Sequence, residues 1–208
     1  VAPDRTRLGF MLPYTPLHLL LLEPEPGFPD VLVMTSGNLS EEPLAYRDEE
    51  ARQRLAPLAD AFLMHDRPIH MRVDDSVVTA LRDQPYLVRR ARGYAPGQMK
   101  IPRAEEPILG TGTQLKNTFC LARDRYAFVS HFIGDLENQE TLDSFEQAVR
   151  HYEKLFRIHP QALACDLHPD YLATRYAQAR SQKQNLPLIQ VQHHHAHQIG
   201  RASCRERV

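Results

Sequence analysis

Apolar positions carry a helical period between residues 140 and 157, where Leu142, Phe145, Val149, Tyr152 and Phe156 recur at intervals of three and four. That spacing puts them on one face and predicts an amphipathic helix packed on a sheet. Beyond it the period changes. Residues 162–166 form a short apolar run, residues 171–182 read as helix, and residues 186–191 are apolar again. The order strand, helix, strand predicts parallel pairing through a right-handed crossover. Upstream, residues 108–109 and 118–122 flank a glycine turn and residues 126–132 alternate, so a β-meander opens this part. Nearer the N-terminus, residues 31–34 read as a short buried strand, residues 47–58 as a helix with Asp48 near its start, and residues 76–81 as another strand. No internal repeat interrupts this α/β pattern.

Two proline-rich breaks organise the chain. Residues 23–29 hold three prolines and a glycine and are expected to form a surface loop between strand-like neighbours. Residues 93–107 suit an interdomain crossing, with a boundary near Pro102. The expected division is a first domain over residues 1–95, a linker over 96–106 and a second domain over 107–198. Residues 199–208 read as a non-native tail, a translated sequencing-library adapter, with a natural basic tail as the alternative. The opening Val-Ala-Pro reads as an internal cut, so the chain is expected to be a fragment.

Composition narrows the class. The 208 residues are 42% hydrophobic and 25% charged, enough apolar material for a packed core and unlike a disordered chain. The longest aliphatic stretch, residues 19–22, is far short of the roughly 20 apolar residues a bilayer span requires, so no membrane role is expected. Twenty-five basic and 26 acidic residues leave a formal charge of −1, which gives no global attraction to nucleic acid. Any polyanion site must be local. Cys120, Cys165 and Cys204 are widely spaced and form no C-x-x-C; this argues against a disulfide framework or thiolate zinc and fits a cytoplasmic location.

Val191-Gln-His-His-His-Ala-His197 falls where a buried strand ends and a helix should begin. His193 and His197, four apart, would project from one helix face, the spacing by which two imidazoles share a metal. A further ligand, commonly a carboxylate, would have to come from elsewhere. The alternative is that these histidines cap the strand and bond backbone groups. Asp166-Leu-His-Pro-Asp-Tyr171 follows the preceding strand and reaches the same sheet edge. Asp170 is expected to cap the next helix, while Asp166 and His168 stay open. In Leu109-Gly-Thr-Gly-Thr-Gln-Leu-Lys-Asn117, the bare N–H groups at Gly110 and Gly112 can converge on phosphate oxygens while Lys116 supplies charge. An ordinary hairpin turn fits equally. Thr35-Ser-Gly-Asn38 offers hydroxyls and an amide suited to nucleotide or to a turn. Arg89, Arg90 and Arg92, with Arg72 upstream, form a basic patch able to grip phosphate.

Taken in order, Leu12-Pro-Tyr-Thr-Pro-Leu-His18, Met34-Thr-Ser-Gly-Asn-Leu-Ser-Glu-Glu-Pro43, His65-Asp-Arg-Pro-Ile69, Asp74-Asp-Ser-Val77, Arg89-Arg-Ala-Arg-Gly-Tyr-Ala-Pro96, Leu115-Lys-Asn-Thr118, Gly134-Asp-Leu-Glu-Asn138, Asp166-Leu-His-Pro-Asp-Tyr171 and Gln192-His-His-His-Ala-His197 resemble the HypF family of hydrogenase-maturation carbamoyltransferases. The resemblance implies the later part of a YrdC-like α/β twisted-sheet domain, followed by the first part of an actin-like ATPase-fold, ribonuclease H-like domain. It implies formation of a carbamoyl-adenylate from ATP and carbamoyl phosphate, and transfer of the carbamoyl group to the C-terminal cysteine of HypE. Thr35, Ser36, Asn38, Ser76, Arg89 and Arg92 would then bind nucleotide, usually with Mg²⁺. Lys116 and Asn117 would contact phosphate, and His193 with His197 would hold a divalent metal, iron or zinc, with Lys116, His193 and His197 as the catalytic set. The family's zinc fingers and acylphosphatase-like domain have no counterpart in this sequence, so the fragment alone is expected to be inactive. Two other classes remain: an enzyme of tRNA threonylcarbamoyladenosine type, and a YrdC-like module binding double-stranded RNA.

Overall fold

The computed structural model describes residues 6, 8–39 and 42–196. Contacts divide the chain into two units, Val1–Gly37 and Asn38–Val208.

In the first unit, α1 (Pro16–Leu21) starts where Thr15 accepts a hydrogen bond from the His18 N–H at 3.1 Å and Pro16 supplies the first helical residue. A threonine cap before proline is a strong helix start, so the proline-rich loop follows a helix and not the strand-like neighbour expected. Residues 31–34 are likewise not a strand. Val31 is 80% exposed and Val33 77%. A strand needs a hydrogen-bonded neighbour and a face to bury, and among the described residues no strand pairs with this segment.

The second unit opens with α2 (Asp48–Leu55), acidic in its first turn as the helix dipole favours. The antiparallel hairpin of β1 (Val77–Leu81) and β2 (Gln84–Arg89) follows. Arg82 and Asp83, both at positive φ, make its two-residue turn; such a turn matches the strand twist.

A six-stranded sheet dominates, in the order β3-β6-β5-β4-β7-β8. Its strands are β3 (Gln98–Lys100), β4 (Ile108–Gly110), β5 (Cys120–Arg123), β6 (Tyr126–Val129), β7 (Ala162–Asp166) and β8 (Leu188–Val191). From β3 to β4 neighbours are antiparallel, the expected meander; β4, β7 and β8 are mutually parallel. The fold is therefore the mixed α/β arrangement expected. β3 lies inside the segment read as a linker and pairs with β6, because Gln98–Lys100 can extend beside an otherwise open edge.

Helix α3 (Gln139–Phe156) occupies the stretch where the apolar stripe predicted it. Asn138 caps it by accepting from the Thr141 N–H at 2.8 Å. Phe145, Val149 and Tyr152 are buried with Leu109, Leu121 and Leu163 of the sheet and with Phe119, just before β5. Edge-on ring contacts join Phe119 to Phe145 (5.7 Å) and to Tyr152 (5.0 Å). Helix α4 (Leu172–Gln184) supplies the β7–α4–β8 crossover. An ion pair at 2.6 Å between Arg180 and Glu153, both largely buried, ties α4 to α3.

One buried titratable group has a readable effect. His131, 5% exposed, is lowered to about 4 by burial, then by the nearby Arg72 guanidinium and His151. The native state thus keeps a neutral imidazole where the unfolded chain takes a proton. Its stabilising contribution is complete above the ordinary histidine value near 6.5 and declines as pH falls toward about 4, by roughly 3 kcal/mol in all. Urea unfolding at a series of pH values should show that decline, and His131→Leu should flatten it. An unchanged pH slope in the variant would contradict the assignment.

Candidate functional site

The C-terminal ends of parallel β4, β7 and β8 open onto one sheet edge, so three loops meet there. Loops at this end of such strands collect ligands because the chain is free to vary while the sheet fixes its origin.

The first loop, residues 111–119, joins antiparallel β4 and β5, so the glycine-threonine motif is also a hairpin connection. Gly110 is not part of the turn: it ends β4 and pairs with Cys120 and Ala164, so its backbone belongs to the sheet. Gly112 has φ +74°, and a Cβ there would collide with the Thr118 carbonyl oxygen. Only glycine fits that backbone. Asn117 is fully buried and points inward, donating its amide to the carbonyls of Thr111 (3.0 Å) and Thr113 (2.6 Å). It shapes the loop from within. Lys116 is exposed at φ +49°, held there because its N–H donates to Asp135 Oδ1 at 2.6 Å. Gln114 donates to the Leu136 carbonyl and accepts from the Leu172 N–H at 2.9 Å, fastening the loop to the start of α4. Asp135 and Gln114 are supports that the sequence reading missed. Asp135 sits in the Gly134-Asp-Leu-Glu-Asn138 motif, where a carboxylate after glycine was its only signal.

The second loop follows β7. Asp166 is the last residue of that strand, and its side chain is only 5% exposed. Oδ1 accepts from the His168 N–H at 2.9 Å, an Asx-turn, and Oδ2 accepts from His193 Nδ1 at 2.7 Å. Burial pushes the carboxyl up, but the two hydrogen bonds and the imidazoles outweigh it and hold the group below its ordinary value. Asp170 does not cap α4. Its Oδ1 accepts from Arg175 at 2.9 Å, and Tyr171 occupies the cap position with no side-chain bond; the guanidinium one turn into the helix is the better partner for a carboxylate.

The third loop follows β8. Gln192 Oε1 accepts from the His195 N–H at 3.0 Å, and residues 193–196 are helical. The expected helix start after this strand is therefore present. His193 faces Asp166, so a strand-end carboxylate and the histidine cluster do share one edge. His197 lies outside the described residues, as does Cys204. Among the described residues no group of three or more His, Cys, Asp or Glu is gathered to hold a metal.

The residues expected to bind nucleotide upstream fall in both units. Thr35 and Ser36 are exposed in the first unit. In the second unit, Asn38 donates to the carbonyls of Leu39 (2.8 Å) and Glu42 (3.0 Å). Ser76 donates to the Arg92 carbonyl and accepts from the Ala91 N–H. Arg89 lies over the Phe132 ring at 4.8 Å, Arg90 donates to the Gly97 carbonyl, and Arg92 pairs with Asp75 at 3.4 Å. These groups are engaged within the chain.

Among the described residues no helix is long and apolar enough to cross a membrane. Residues 103–203 match the family described as the HypF Kae1-like domain, and residues 1–91 match the Sua5/YciO/YrdC family, described as telomere recombination. Carbamoyltransferase HypF of Rhodobacter capsulatus is 49% identical over 200 residues, covering 95% of this chain and 26% of that protein. Carbamoyltransferase HypF of Synechocystis is 43% identical over 198 residues, covering 95% and 25%. A full-length HypF solved in a phosphate- and nucleotide-bound form superposes with a TM-score of 0.80 at 44% identity, covering 90% of this chain and 29% of that one. The HypF of T. kodakarensis gives 0.81 at 35% identity, covering 90% and 24%. The chain thus spans about a quarter of the length of the curated relatives it matches. With both family models in their expected order and nearly the whole chain aligned, the chain belongs to the HypF family, joining a YrdC-like part to a HypF Kae1-like part.

Proposed function

We propose that this chain carries part of the machinery of an ATP-dependent carbamoyltransferase of hydrogenase maturation. The division follows the sequence reading: YrdC-like residues 1–95, a crossing over 96–106, and Kae1-like residues from 107. Hydrolysis of carbamoyl phosphate by water gives carbamate and inorganic phosphate; in the YrdC-like part a carbamate oxygen then attacks the α-phosphorus of ATP, and pyrophosphate leaves. The product is a carbamoyl-adenylate. In the Kae1-like part, the thiolate of the C-terminal cysteine of HypE attacks the carbamoyl carbon and AMP leaves. Thr35, Ser36, Asn38, Ser76, Arg89 and Arg92 are the nucleotide contacts of the first step, with Mg²⁺; those now bonded within the chain must turn outward to serve. A cytoplasmic location goes with this reading.

The observation that carries the proposal is the meeting of the Gly112–Lys116 loop with Asp166 and His193 at one sheet edge. Backbone N–H groups of a tight glycine turn and the Lys116 ammonium suit phosphate oxygens, and preorganised donors are what a phosphate-leaving reaction needs. The donor set also fits a divalent metal, iron or zinc. A carboxylate only accepts, so His193 carries its proton on Nδ1 and its lone pair on Nε2, the arrangement of a metal-binding histidine held by an outer carboxylate. His193 and His197 would hold the ion, which when bound would polarise phosphate or carbamoyl oxygen.

The test uses the parent protein that contains this sequence. ATP, carbamoyl phosphate and a HypE tail peptide should yield a carbamoylated cysteine, detected by mass. Absence of that adduct with active HypE present would overturn the reading. The 208-residue chain by itself is expected to give none.

A further inference from the structure

His168 stands at the same edge, bonded to the Asp166 carboxylate that also holds His193. Pro169 after it restricts its backbone to extended conformations, and its own N–H is fixed on Asp166 Oδ1 at 2.9 Å. The ring stacks on Tyr171 with centroids 4.3 Å apart and planes 10° from parallel. Its Nδ1 accepts the Asp170 N–H at 3.3 Å. An Nδ1 that accepts a hydrogen bond carries no proton, so a neutral ring has its proton on Nε2. Such a ring cannot ligate a metal through Nε2. It can only donate there. His193, on the other oxygen of the same Asp166 carboxylate, has the opposite tautomer.

We propose that His168 is an anchoring residue of this site, donating its Nε2–H to an oxygen of a phosphate group held over the sheet edge. This rests on the phosphate-binding reading of the same edge. One carboxylate would set both imidazoles: a lone pair at His193, a donor at His168. The phosphate can belong to ATP or be free in solution, as in carbamoyl phosphate chemistry, and the two share the recognised oxygen.

The experiment labels the chain uniformly with ¹⁵N and reads the histidine tautomers by long-range proton–nitrogen correlation at about pH 8, above the ordinary imidazole value. His168 should show a protonated Nε2 and His193 a protonated Nδ1. ATP and inorganic phosphate are then titrated separately. His168→Phe, which keeps the stack on Tyr171 but lacks the donor, should weaken binding in at least one arm about tenfold, the expected loss of a hydrogen bond to a charged group. His168→Gln, which restores an N–H near the same point, should recover most of it. Loss in the ATP arm alone assigns the nucleotide; loss in both arms assigns a free phosphate site. An unprotonated Nε2 at His168, or Phe binding as tightly as the native chain, overturns the proposal. If the amides of residues 111–117 still respond to phosphate in that case, the phosphate-binding reading stands and only His168 falls. If those amides are silent, the reading itself fails.

Discussion

Gly112→Ala is expected to dismantle the loop after β4. The residue sits at φ +74°, where a side chain costs about 1–3 kcal/mol. The added Cβ would also meet two groups with no room to retreat: the Thr118 carbonyl oxygen, on backbone leading into β5, and the buried Asn117 amide at 2.9 Å. Overpacking of this kind costs about 1–3 kcal/mol more. Asn117 cannot move without releasing Thr111 and Thr113, and the loop it shapes also positions Lys116. Phosphate or ATP binding at this edge should therefore fall by more than tenfold, a loss of over about 1.4 kcal/mol, while the far-ultraviolet signature of α3 and α4 persists. Isothermal titration and circular dichroism on the same sample check both halves. Native affinity in the variant would show that the loop takes no part.

Phe145→Ala is expected to lower stability by about 3–5 kcal/mol. Phe145 is fully buried at the centre of α3, edge-on to Phe119, just before β5, and to Tyr176 of α4 at 5.1 Å. Removing the ring leaves a void between three elements that cannot close on it together, because the ion pair of Glu153 with Arg180 already fixes how α3 and α4 meet. Urea unfolding should show an earlier midpoint at nearly unchanged slope, since the surface exposed on unfolding stays the same. A loss under about 1 kcal/mol would mean that α3 is not the keystone of this core. The site would feel the change as well, because Asn138 at the head of α3 follows directly on the segment that holds Lys116 and Gln114.

The Kae1-like part is legible in sequence because its elements bury what they advertise. The stripe through Phe145, Val149 and Tyr152 is the buried face of α3, and the apolar runs before and after α4 are the parallel strands β7 and β8. The convergence of Asp166 with the histidine cluster follows from that order. What stayed hidden is which polar group answers which. Asp170 reads as a cap until Arg175 is seen beside it, and nothing in the sequence shows that the Asn117 amide faces the loop's own carbonyls. The upstream part is less legible. Residues 31–34 carry a strand's composition, but a strand is a property of a pair, and Val31 and Val33 remain exposed. Residues 98–100 look like linker because prolines and glycines surround them, yet three extended residues suffice to extend the β6 edge.

The central claim is that the loops after β4, β7 and β8 form one receptor for phosphate oxygens. A crystal structure of this chain with ATP tests it most directly. Phosphate oxygens are expected within hydrogen-bond distance of the 112–116 backbone, on the side of the sheet edge where Asp166 holds His193. Residues 112–116 and His168 left facing solvent in crystals whose ATP is bound only at the upstream contacts Ser76, Arg89 and Arg92 would contradict it.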